Sequence, residues 1–412
     1  MECRGRAPTT ATVDWKWPTG APAERASLLL LDSAGAGKLV CLPGPRHVRS
    51  AFPGIALEQI LDVAWKAGLK GGPLIAGWAE KEGPIRQLVL VLPSGSRRML
   101  ATSVRVARFS PDATALAYEV AKPATPGEAL AAPTSYVLEL DSGRIIELGA
   151  LADPLWESDS KHLRATMLRE KGTKSPVEDG HWTSLRVRWD RRSGAVAVDG
   201  SGSAQIPAPV GDAVAWSEGQ RGGGRNQCGV FLNRRAGVKH SVVGRFCMGV
   251  ADERGVRWSP DGRWLAFSHP EPAPTQHESS GAFVDVVSIE GGRSPALSAL
   301  RARATPGELA VASAAESGWF DWSPSSRFLA FSDGTRDLRV YDFEAHGVAS
   351  LGKGQRPTWS PRGAYLLVLA GGDAAPTGMG EAVVLPGVRT EERIDLGPVR
   401  DARWLPGEVC GL

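Results

Sequence analysis

The sequence predicts an all-β fold, a β-propeller of four-stranded blades, on three observations. First, a turn phrase recurs, reading W-S-P-D-G-R-W-L-A-F-S from Trp258, W-S-P-S-S-R-F-L-A-F-S from Trp322, W-S-P-R-G-A-Y-L-L-V-L from Trp359 and F-S-P-D-A-T-A-L-A-Y-E from Phe109. Second, the repeating unit is roughly 40 to 50 residues long, which is typical of propeller blades. Third, short alternating segments separated by Gly-containing turns lie between the phrases, which indicates antiparallel strands.

Each phrase begins with a bulky residue that we expect to pack between neighbouring blades, because such rings bury about 150–250 Å² each. These predicted anchors are Trp65, Phe109, Trp156, Trp216, Trp258, Trp322, Trp359 and Trp404. Eight anchors predict eight blades. Seven blades is the alternative, since Trp65 and Trp216 lack a proper turn phrase after them.

The clearest copy shows how the unit works. Residues 254–258 alternate as a short strand, and a second strand follows the turn at 259–262. In that turn Pro260 presets φ, Asp261 bonds to its own backbone, and Gly262 takes the left-handed position. A second hairpin completes each blade, as in the segments that begin at residues 86, 135, 184 and 337.

The two chain ends are predicted to share one blade. Trp404 lies eight residues from the C-terminus, so its blade lacks an outer hairpin, whereas residues 27–42 form an outer hairpin without an inner one. Joining them would close the ring and remove a free sheet edge. We therefore expect a single propeller domain over residues 25–412, preceded by a lead segment over 1–24.

Charge and hydropathy exclude two classes of partner. The chain has 48 Lys and Arg residues against 45 Asp and Glu, a net charge of +3, with no block of like charges. Nucleic-acid binders usually show a basic stripe, so this balance argues against a nucleic-acid partner. No run of about 18 apolar residues is present, so no membrane span is expected.

The five cysteines have neither a C-x-x-C motif nor zinc spacing. Cys228 and Cys247 flank two neighbouring predicted strands and form either a disulfide or two buried free thiols. Cys41 and Cys410 could bridge the chain ends. The segment around Cys3 lacks the apolar region of a signal peptide, so the protein either stays in the cytoplasm or has lost a leader, as a trimmed lipoprotein start would.

The phrase W-S-P-D-G-R-W-L-A-F at 258–267 resembles the repeat of TolB-like propellers, a WD-like β-propeller family whose motif reads W-S-P-D-G-x-x-[LI]-[AV]-[FY]. The resemblance implies that the motif residues are structural, that the protein binds other proteins, and that it works in a bacterial cell-envelope or periplasmic setting. Propellers of prolyl-oligopeptidase-type enzymes share these repeats but need an α/β-hydrolase domain with a G-x-S-x-G elbow, which this sequence lacks.

Binding is expected on the face with the long connections, at 121–134, 170–182, 219–227, 269–281 and 371–380. Long loops on a rigid scaffold usually carry function, although neutral insertion is the alternative. The candidate partner-binding residues there are Lys171, Lys174, His181, Arg221, Arg225, His269, His277 and Glu278. The basic members of this set would suit an acidic protein partner.

Two His residues eight positions apart in a Pro-rich loop are a poor metal signature, so neither a metal nor a cofactor is expected. We therefore predict a non-catalytic interaction module that binds a protein partner in an assembly through its long-loop face. The alternative is a hydrolase or lyase with an active site at the mouth of the central channel. An enzyme should show a deep central pocket with charged side chains and shifted pKa values, whereas a scaffold should show a bland or plugged channel.

Overall fold

The computed structural model is an eight-bladed β-propeller, as the repeats predict. The structure describes residues 25–32, 34–43, 46–52, 57, 59–64, 74–79, 87–92, 96–121, 133–170, 182–201, 206–220, 227–233, 241–244, 256–270, 282–289, 320–332, 337–345, 347–370, 380–387 and 392–406. This part of the chain is all-β, and it contains no helix long and apolar enough to cross a membrane. The predicted lead segment lies outside it.

The strands follow the chain in blade order. Blade 1 contains β1 (Ala26–Leu31), β2 (Gly37–Leu42), β3 (Arg46–Phe52) and the last strand, β31 (Asp401–Trp404). Blade 2 contains β4 (Gln59–Ala64), β5 (Leu74–Ala79), β6 (Gln87–Val91) and β7 (Arg97–Thr102). Blade 3 contains β8 (Val104–Phe109), β9 (Ala115–Val120), β10 (Thr134–Glu139) and β11 (Ile145–Gly149). Blade 4 contains β12 (Leu151–Trp156), β13 (His162–Glu170), β14 (Trp182–Asp190) and β15 (Val196–Ser201).

The second half repeats this plan. Blade 5 contains β16 (Ile206–Pro207), β17 (Val214–Gln220), β18 (Gln227–Asn233) and β19 (Ser241–Gly244). Blade 6 contains, within the described residues, β20 (Val256–Trp258), β21 (Trp264–Pro270) and β22 (Ala282–Ser288). Blade 7 contains β23 (Phe320–Trp322), β24 (Phe328–Ser332), β25 (Asp337–Asp342) and β26 (Gly347–Lys353). Blade 8 contains β27 (Gln355–Trp359), β28 (Tyr365–Ala370), β29 (Gly380–Pro386) and β30 (Ile394–Val399).

The chain ends share blade 1, which confirms the predicted closure of the ring. The division of the strands differs from the expectation of one hairpin from each end. The C-terminal segment supplies only the innermost strand, β31, which pairs antiparallel with β1 from Leu28↔Trp404 to Leu31↔Asp401. The N-terminal segment supplies the other three strands, so the predicted hairpin at 27–42 forms the second and third strands of the sheet.

Strand β1 shows how one blade is buried on both faces. All of its six residues are buried, although side chains alternate between the two faces of a sheet. Leu28 and Leu30 pack in a cluster with blade 8, whereas Leu29 and Leu31 pack in a cluster with blade 2. The core is therefore distributed between the blades, and a continuous apolar strand sequence is what this arrangement requires.

The anchors form a repeated hydrogen bond between blades. In five blades the indole Nε1 of the anchor donates to the carbonyl oxygen of the residue just before the anchor of the preceding blade. These pairs are Trp156 to Arg108 (3.1 Å), Trp258 to Ile206 (2.9 Å), Trp322 to Arg257 (3.3 Å), Trp359 to Asp321 (3.2 Å) and Trp404 to Thr358 (2.9 Å). A tryptophan at this position therefore fills the gap between blades and satisfies a carbonyl at the same time.

The turn after each anchor is held from within. The Ser259 hydroxyl donates to Asp261 Oδ1 at 2.6 Å and accepts the Trp264 N–H at 3.0 Å. Asp261 Oδ1 also accepts the nearby Arg263 N–H at 3.0 Å, which is the local backbone bond predicted for this aspartate. The fourth residue after the anchor has a positive φ in six blades. These residues are Ala113, Ser160, Gly211, Gly262, Ser326 and Gly363.

Blade 5 corrects one predicted anchor. Trp216 lies on the second strand, β17, and not at the end of the innermost strand. Pro207 holds the anchor position, because the carbonyl before it accepts the Trp258 ring N–H and Gly211, four residues on, has φ of 84°. Pro207 lies 51 residues after Trp156 and 51 before Trp258, so the repeat is regular here once the aromatic requirement is dropped. The predicted anchor Trp65 lies outside the described residues.

The cysteine predictions are tested in part. Cys41 on β2 is disulfide-bonded. The suggested bridge to Cys410 stays a prediction. Of the second predicted pair, Cys228 lies on β18, while Cys247 lies outside the described residues, so that pairing stays open.

Candidate functional site: an arginine-lined pocket in the central channel

The innermost strands of the eight blades surround the central channel, and a pocket of about 770 Å³ lies within it. Strands of six blades line this channel pocket: β31, β4, β8, β12, β16 and β20. A cavity of this volume is in the range that holds a small organic ligand or a few residues of a peptide.

Four arginines project charge into the channel pocket against one carboxylate. They are Arg105, Arg108, Arg257 and Arg403, and the carboxylate is Asp62. The side chains of Arg105 and Arg257 are 45% and 37% exposed, so both guanidinium groups reach the solvent of the channel. A guanidinium carries five N–H donors, so one ion pair leaves donors for a ligand. Three of these guanidinium groups already face carboxylates outside the lining: Arg105 faces Glu119, Arg257 faces Asp321 and Arg403 faces Asp401. The pocket therefore presents guanidinium N–H donors, and most of the arginine charge is balanced by neighbouring acidic groups.

Asp62 is committed to the fold. Its Oδ1 accepts the Val63 N–H at 2.9 Å, and its Oδ2 accepts the Phe109 N–H of blade 3 at 2.7 Å. Burial raises the pKa of Asp62, while these two N–H donors and the charges of Arg108 and Arg403 act to lower it. The carboxyl thus joins blade 2 to blade 3 and offsets part of the arginine charge.

Two further aspartates join blades beside the pocket. Asp321 accepts the Trp359 N–H of blade 8 at 2.9 Å and pairs with the Arg257 guanidinium of blade 6 at 2.8 Å. Burial raises the pKa of Asp321, while Arg257 acts to lower it. Asp401 accepts the Ile60 N–H of blade 2 at 3.0 Å. The innermost strands have no hydrogen-bonding neighbour strand on the channel side. Such carboxylates therefore accept bonds from backbone N–H groups that would otherwise face the channel unpaired.

A buried carboxylate pair lies behind Arg105. Glu119 is fully buried, its Oε2 accepts the Asp153 N–H at 2.8 Å, and its Oε1 lies 3.1 Å from Arg105 Nη1. Asp153 sits in a β-bulge of β12 with φ of 53°. Burial, and then the charge of Glu119, raise the pKa of Asp153 to about 7, while Arg105 and Arg108 act to lower it. Arg105 therefore pairs with Glu119, and the neighbouring Asp153 changes its protonation state near pH 7.

The other side of the channel pocket is apolar. Blades 4 and 5 contribute to the lining only Leu155, Trp156, Ile206, Pro207 and Pro209, which we name the apolar wall. The Trp156 ring N–H bonds to the Arg108 carbonyl, and the Trp258 ring N–H bonds to the Ile206 carbonyl. The apolar wall is thus held directly between the arginines of blade 3 and the arginine of blade 6.

A second polar cluster lies at the turn of blade 4. Ligand atoms of Glu157, Asp159 and His162 lie within 4.8 Å of one another. His162 contacts Asp159 at 2.5 Å through Nδ1 and Asp190 at 3.2 Å through Nε2, and two arginines, Arg164 and Arg188, bond to Glu157. These contacts satisfy the cluster as a network of ion pairs.

The partner-binding residues expected on the long-loop face are not tested by the structure. His269 lies on β21, where its backbone pairs with Phe283. The others, Lys171, Lys174, His181, Arg221, Arg225, His277 and Glu278, lie outside the described residues. Sequence reasoning missed the channel residues altogether. The available signal was the residue before each anchor, as in Arg108-Phe109, Arg257-Trp258 and Arg403-Trp404.

Comparison with solved structures supports the fold. The chain is similar to a structure described as the eukaryotic initiation factor, with 11% identity over 93% of this chain and 98% of that chain, and a TM-score of 0.50. It is similar to the propeller domain of the Trilobed protease from Pyrococcus furiosus, with 12% identity over 83% of this chain and 98% of that chain, and a TM-score of 0.44. An oligogalacturonate lyase in complex with manganese matches at 14% identity over 89% of this chain and 97% of that chain, with a TM-score of 0.45.

No family model matches the sequence, and no curated protein matches it either. The solved structures that match also include an acylaminoacyl peptidase from Pyrococcus horikoshii and the mitotic checkpoint complex. At these identities the likeness shows the β-propeller fold alone.

Proposed function

We propose that this chain is a non-catalytic binding module whose central channel accepts an anionic group of its partner. One observation carries the proposal: four arginines and one already bonded carboxylate line a pocket of about 770 Å³. Arginine binds carboxylates and phosphates through paired N–H donors, and a partly dehydrated channel strengthens such contacts. The acidic protein partner expected from the sequence would thus present its charge to the channel.

Binding fits the channel pocket better than catalysis does. Among the described lining residues none is His, Cys, Ser or Lys, the usual nucleophiles and bases. The lining carboxylate, Asp62, has a raised pKa, as a general acid would, but both of its oxygens accept backbone N–H groups. An active site of the hydrolase or lyase kind at the channel mouth is therefore the second candidate.

A calorimetric titration tests the proposal. The probe is a synthetic Glu-rich peptide, and the same peptide with Gln at every Glu is the ligand control. The double variant Arg257→Gln with Arg403→Gln removes two channel charges. The matched variant Arg144→Gln with Arg393→Gln removes two charges from side chains that are 63% and 56% exposed, just before the outermost strands β11 and β30.

We expect the Glu-rich peptide to bind the wild type, and the channel variant to bind it about tenfold or more weakly, because each charge-assisted bond contributes about 1.5–3 kcal/mol. The outer variant should bind as the wild type does. Equal loss in both variants, or equal binding of the Gln peptide, would contradict a channel site. If the double variant does not fold, Arg257→Lys is measured in its place. This variant retains the charge beside Asp321 but loses the paired N–H donors of the guanidinium.

A turnover assay distinguishes a binding module from the second candidate, an active site at the channel mouth. Asp62→Asn retains an oxygen that accepts one backbone N–H but cannot act as an acid, so a binding module should keep its affinity for the Glu-rich peptide. If the wild type instead consumed a candidate substrate and Asp62→Asn abolished that turnover, the channel pocket would be an active site.

The long-loop face and the cellular setting stay proposals of the sequence. The resemblance to TolB-like propellers supports a periplasmic or cell-envelope location, and a cytoplasmic location is the alternative. Fractionation of cells expressing the full-length gene product would distinguish them. A protein partner is supported by the long connections that the sequence predicts on one face.

A further inference from the structure

The two sides of the channel pocket differ in a way that charge alone does not explain. Blades 1, 3 and 6 contribute arginines and blade 2 contributes Asp62, whereas blades 4 and 5 contribute only apolar side chains. A site for a simple inorganic anion needs no apolar wall. A site for a ligand with a charged end and an apolar body needs both.

The apolar wall is accessible to a ligand. Leu155 and Ile206 are half-buried, while Pro207 and Pro209 are exposed within the channel pocket. Two hydrogen bonds between blades hold the apolar wall in place, at Trp156 Nε1 (3.1 Å to the Arg108 carbonyl) and at Trp258 Nε1 (2.9 Å to the Ile206 carbonyl). The two prolines restrict their own backbone. The apolar wall is therefore formed before a ligand arrives, which lowers the entropic cost of binding.

The same two hydrogen bonds set the spacing of the chemistry. Arg108 and Trp156 are adjacent across one blade junction, and Arg257 follows directly after Val256 beside Ile206 across another. A carboxylate bound by Arg108 or Arg257 would therefore lie next to the two blades that form the apolar wall.

We propose that the group accepted by this channel is a carboxylate that carries an apolar arm, with the carboxylate on the arginines and the arm on the apolar wall. This inference rests on the proposed function and names its ligand class. Two sources supply this chemistry: a free alkyl or aryl carboxylic acid, and the C-terminal residue of a protein that ends in an apolar side chain.

Titration with acetate, butanoate, hexanoate and octanoate tests the arm. Each buried methylene should raise the association constant about fourfold until the wall is covered. Octyltrimethylammonium, which has the same arm and the opposite charge, should bind at least tenfold more weakly than octanoate. The Arg257→Gln, Arg403→Gln variant should lose affinity for every acid in the series.

A matched pair of variants places the arm on the apolar wall. Leu155→Asn puts a polar group into the wall and should remove most of the difference between octanoate and acetate. Val198→Asn makes the same change on the outermost strand of the same blade, where Val198 is 61% exposed, and should leave the series unchanged. If Leu155→Asn does not fold, the chain-length series in the wild type decides alone.

Titration with short peptides distinguishes the two sources of the carboxylate. Gly-Gly-Leu with a free carboxylate is compared with its C-terminal amide and with Gly-Gly-Ser. Tighter binding of free Gly-Gly-Leu than of octanoate assigns the site to protein C-termini, and the reverse assigns it to free acids. Both outcomes support the carboxylate with an apolar arm.

Two results would overturn the inference, and they differ in what else they overturn. If acetate and octanoate bind equally while binding still depends on the channel arginines, the apolar arm is wrong and the anion-binding function stands. If neither these acids nor the Glu-rich peptide binds, both proposals are wrong.

Discussion

On seven innermost strands the structure describes both the anchor position and the channel position just before it. These two positions accept different kinds of residue. The anchor position holds Phe109, Trp156, Pro207, Trp258, Trp322, Trp359 and Trp404, nearly all large aromatic residues. The position just before it holds Arg108, Leu155, Ile206, Arg257, Asp321, Thr358 and Arg403, which share no property. The anchors are alike because the packing between blades requires a similar residue in each blade. The channel residues are not constrained in this way and differ from blade to blade.

Physical constraints explain the contrast. An anchor must fill the gap between two sheets and reach a carbonyl of the preceding blade, so only a few side chains fit. A channel residue faces water or a ligand and needs only to satisfy its neighbours. Substitutions at anchors should therefore lower the stability of the fold more than substitutions at channel residues do.

Removing an anchor should have the largest effect. Trp322 is 5% exposed and packs in the cluster between blades 6 and 7, so Trp322→Ala should lower the free energy of unfolding by about 3–5 kcal/mol in chemical denaturation. Trp322→Phe, which loses only the bond to the Arg257 carbonyl and some ring area, should cost about 1 kcal/mol. Thr358→Ala, at the position just before the Trp359 anchor, should cost about 1 kcal/mol or less. Equal costs for Trp322→Ala and Thr358→Ala would contradict the contrast.

The buried acid behind Arg105 should make stability depend on pH. The pKa of Asp153 is about 7 in the fold against an ordinary value of 3.8, so this group favours the folded state below about pH 4 and the advantage is lost as the pH rises through 7. Asp153→Asn is neutral at every pH, and Asn accepts the positive φ at this position. The variant should match the wild type near pH 4 and exceed it by about 2–4 kcal/mol at pH 8.

Unfolding curves at both pH values check this prediction. Glu119, Arg105 and Arg108 face Asp153 and are the same in both proteins, so the difference between them isolates Asp153. A difference that does not change with pH would mean that Asp153 is already charged in the folded protein at pH 4.

Two glycines with the same backbone geometry separate strain from crowding. Gly262, in the turn after the Trp258 anchor, has φ of 71°, and a Cβ there would lie 2.8 Å from the Val210 carbonyl oxygen of blade 5. Gly194, in the outer turn of blade 4, has φ of 72° and nothing within 4 Å of such a Cβ. Gly194→Ala should cost about 1–2 kcal/mol from the left-handed backbone alone, and Gly262→Ala about 1 kcal/mol more. Equal melting temperatures of the two variants would show that the blade contact is not tight.

The sequence predicted much of the fold because the anchors and turns are repeated. Six predicted anchors end innermost strands, and the closure of the ring by both chain ends was also correct. Trp216 was wrong because an aromatic residue was required at the anchor, whereas blade 5 keeps the turn A-P-V-G-D after a proline. In blade 5 the turn residues mark the position of the repeat, whereas the residue type of the anchor does not.

The channel could not be predicted in the same way. Bulges interrupt four innermost strands, β4, β8, β12 and β27, so simple alternation does not tell which side chains face the channel. Asp153 and Arg356 lie in two of these bulges with positive φ, which no turn phrase signals. Only the position before each anchor is constant in register, and it would have found Arg108, Arg257 and Arg403.

A crystal structure of the protein soaked with 8-bromooctanoate would show whether a carboxylate with an apolar arm occupies the channel pocket. We expect anomalous density for bromine against Leu155 and Ile206, with the carboxylate in contact with Arg108 or Arg257. Bromine bound only on the outer surface of the blades, with the channel pocket filled by water alone, would contradict it.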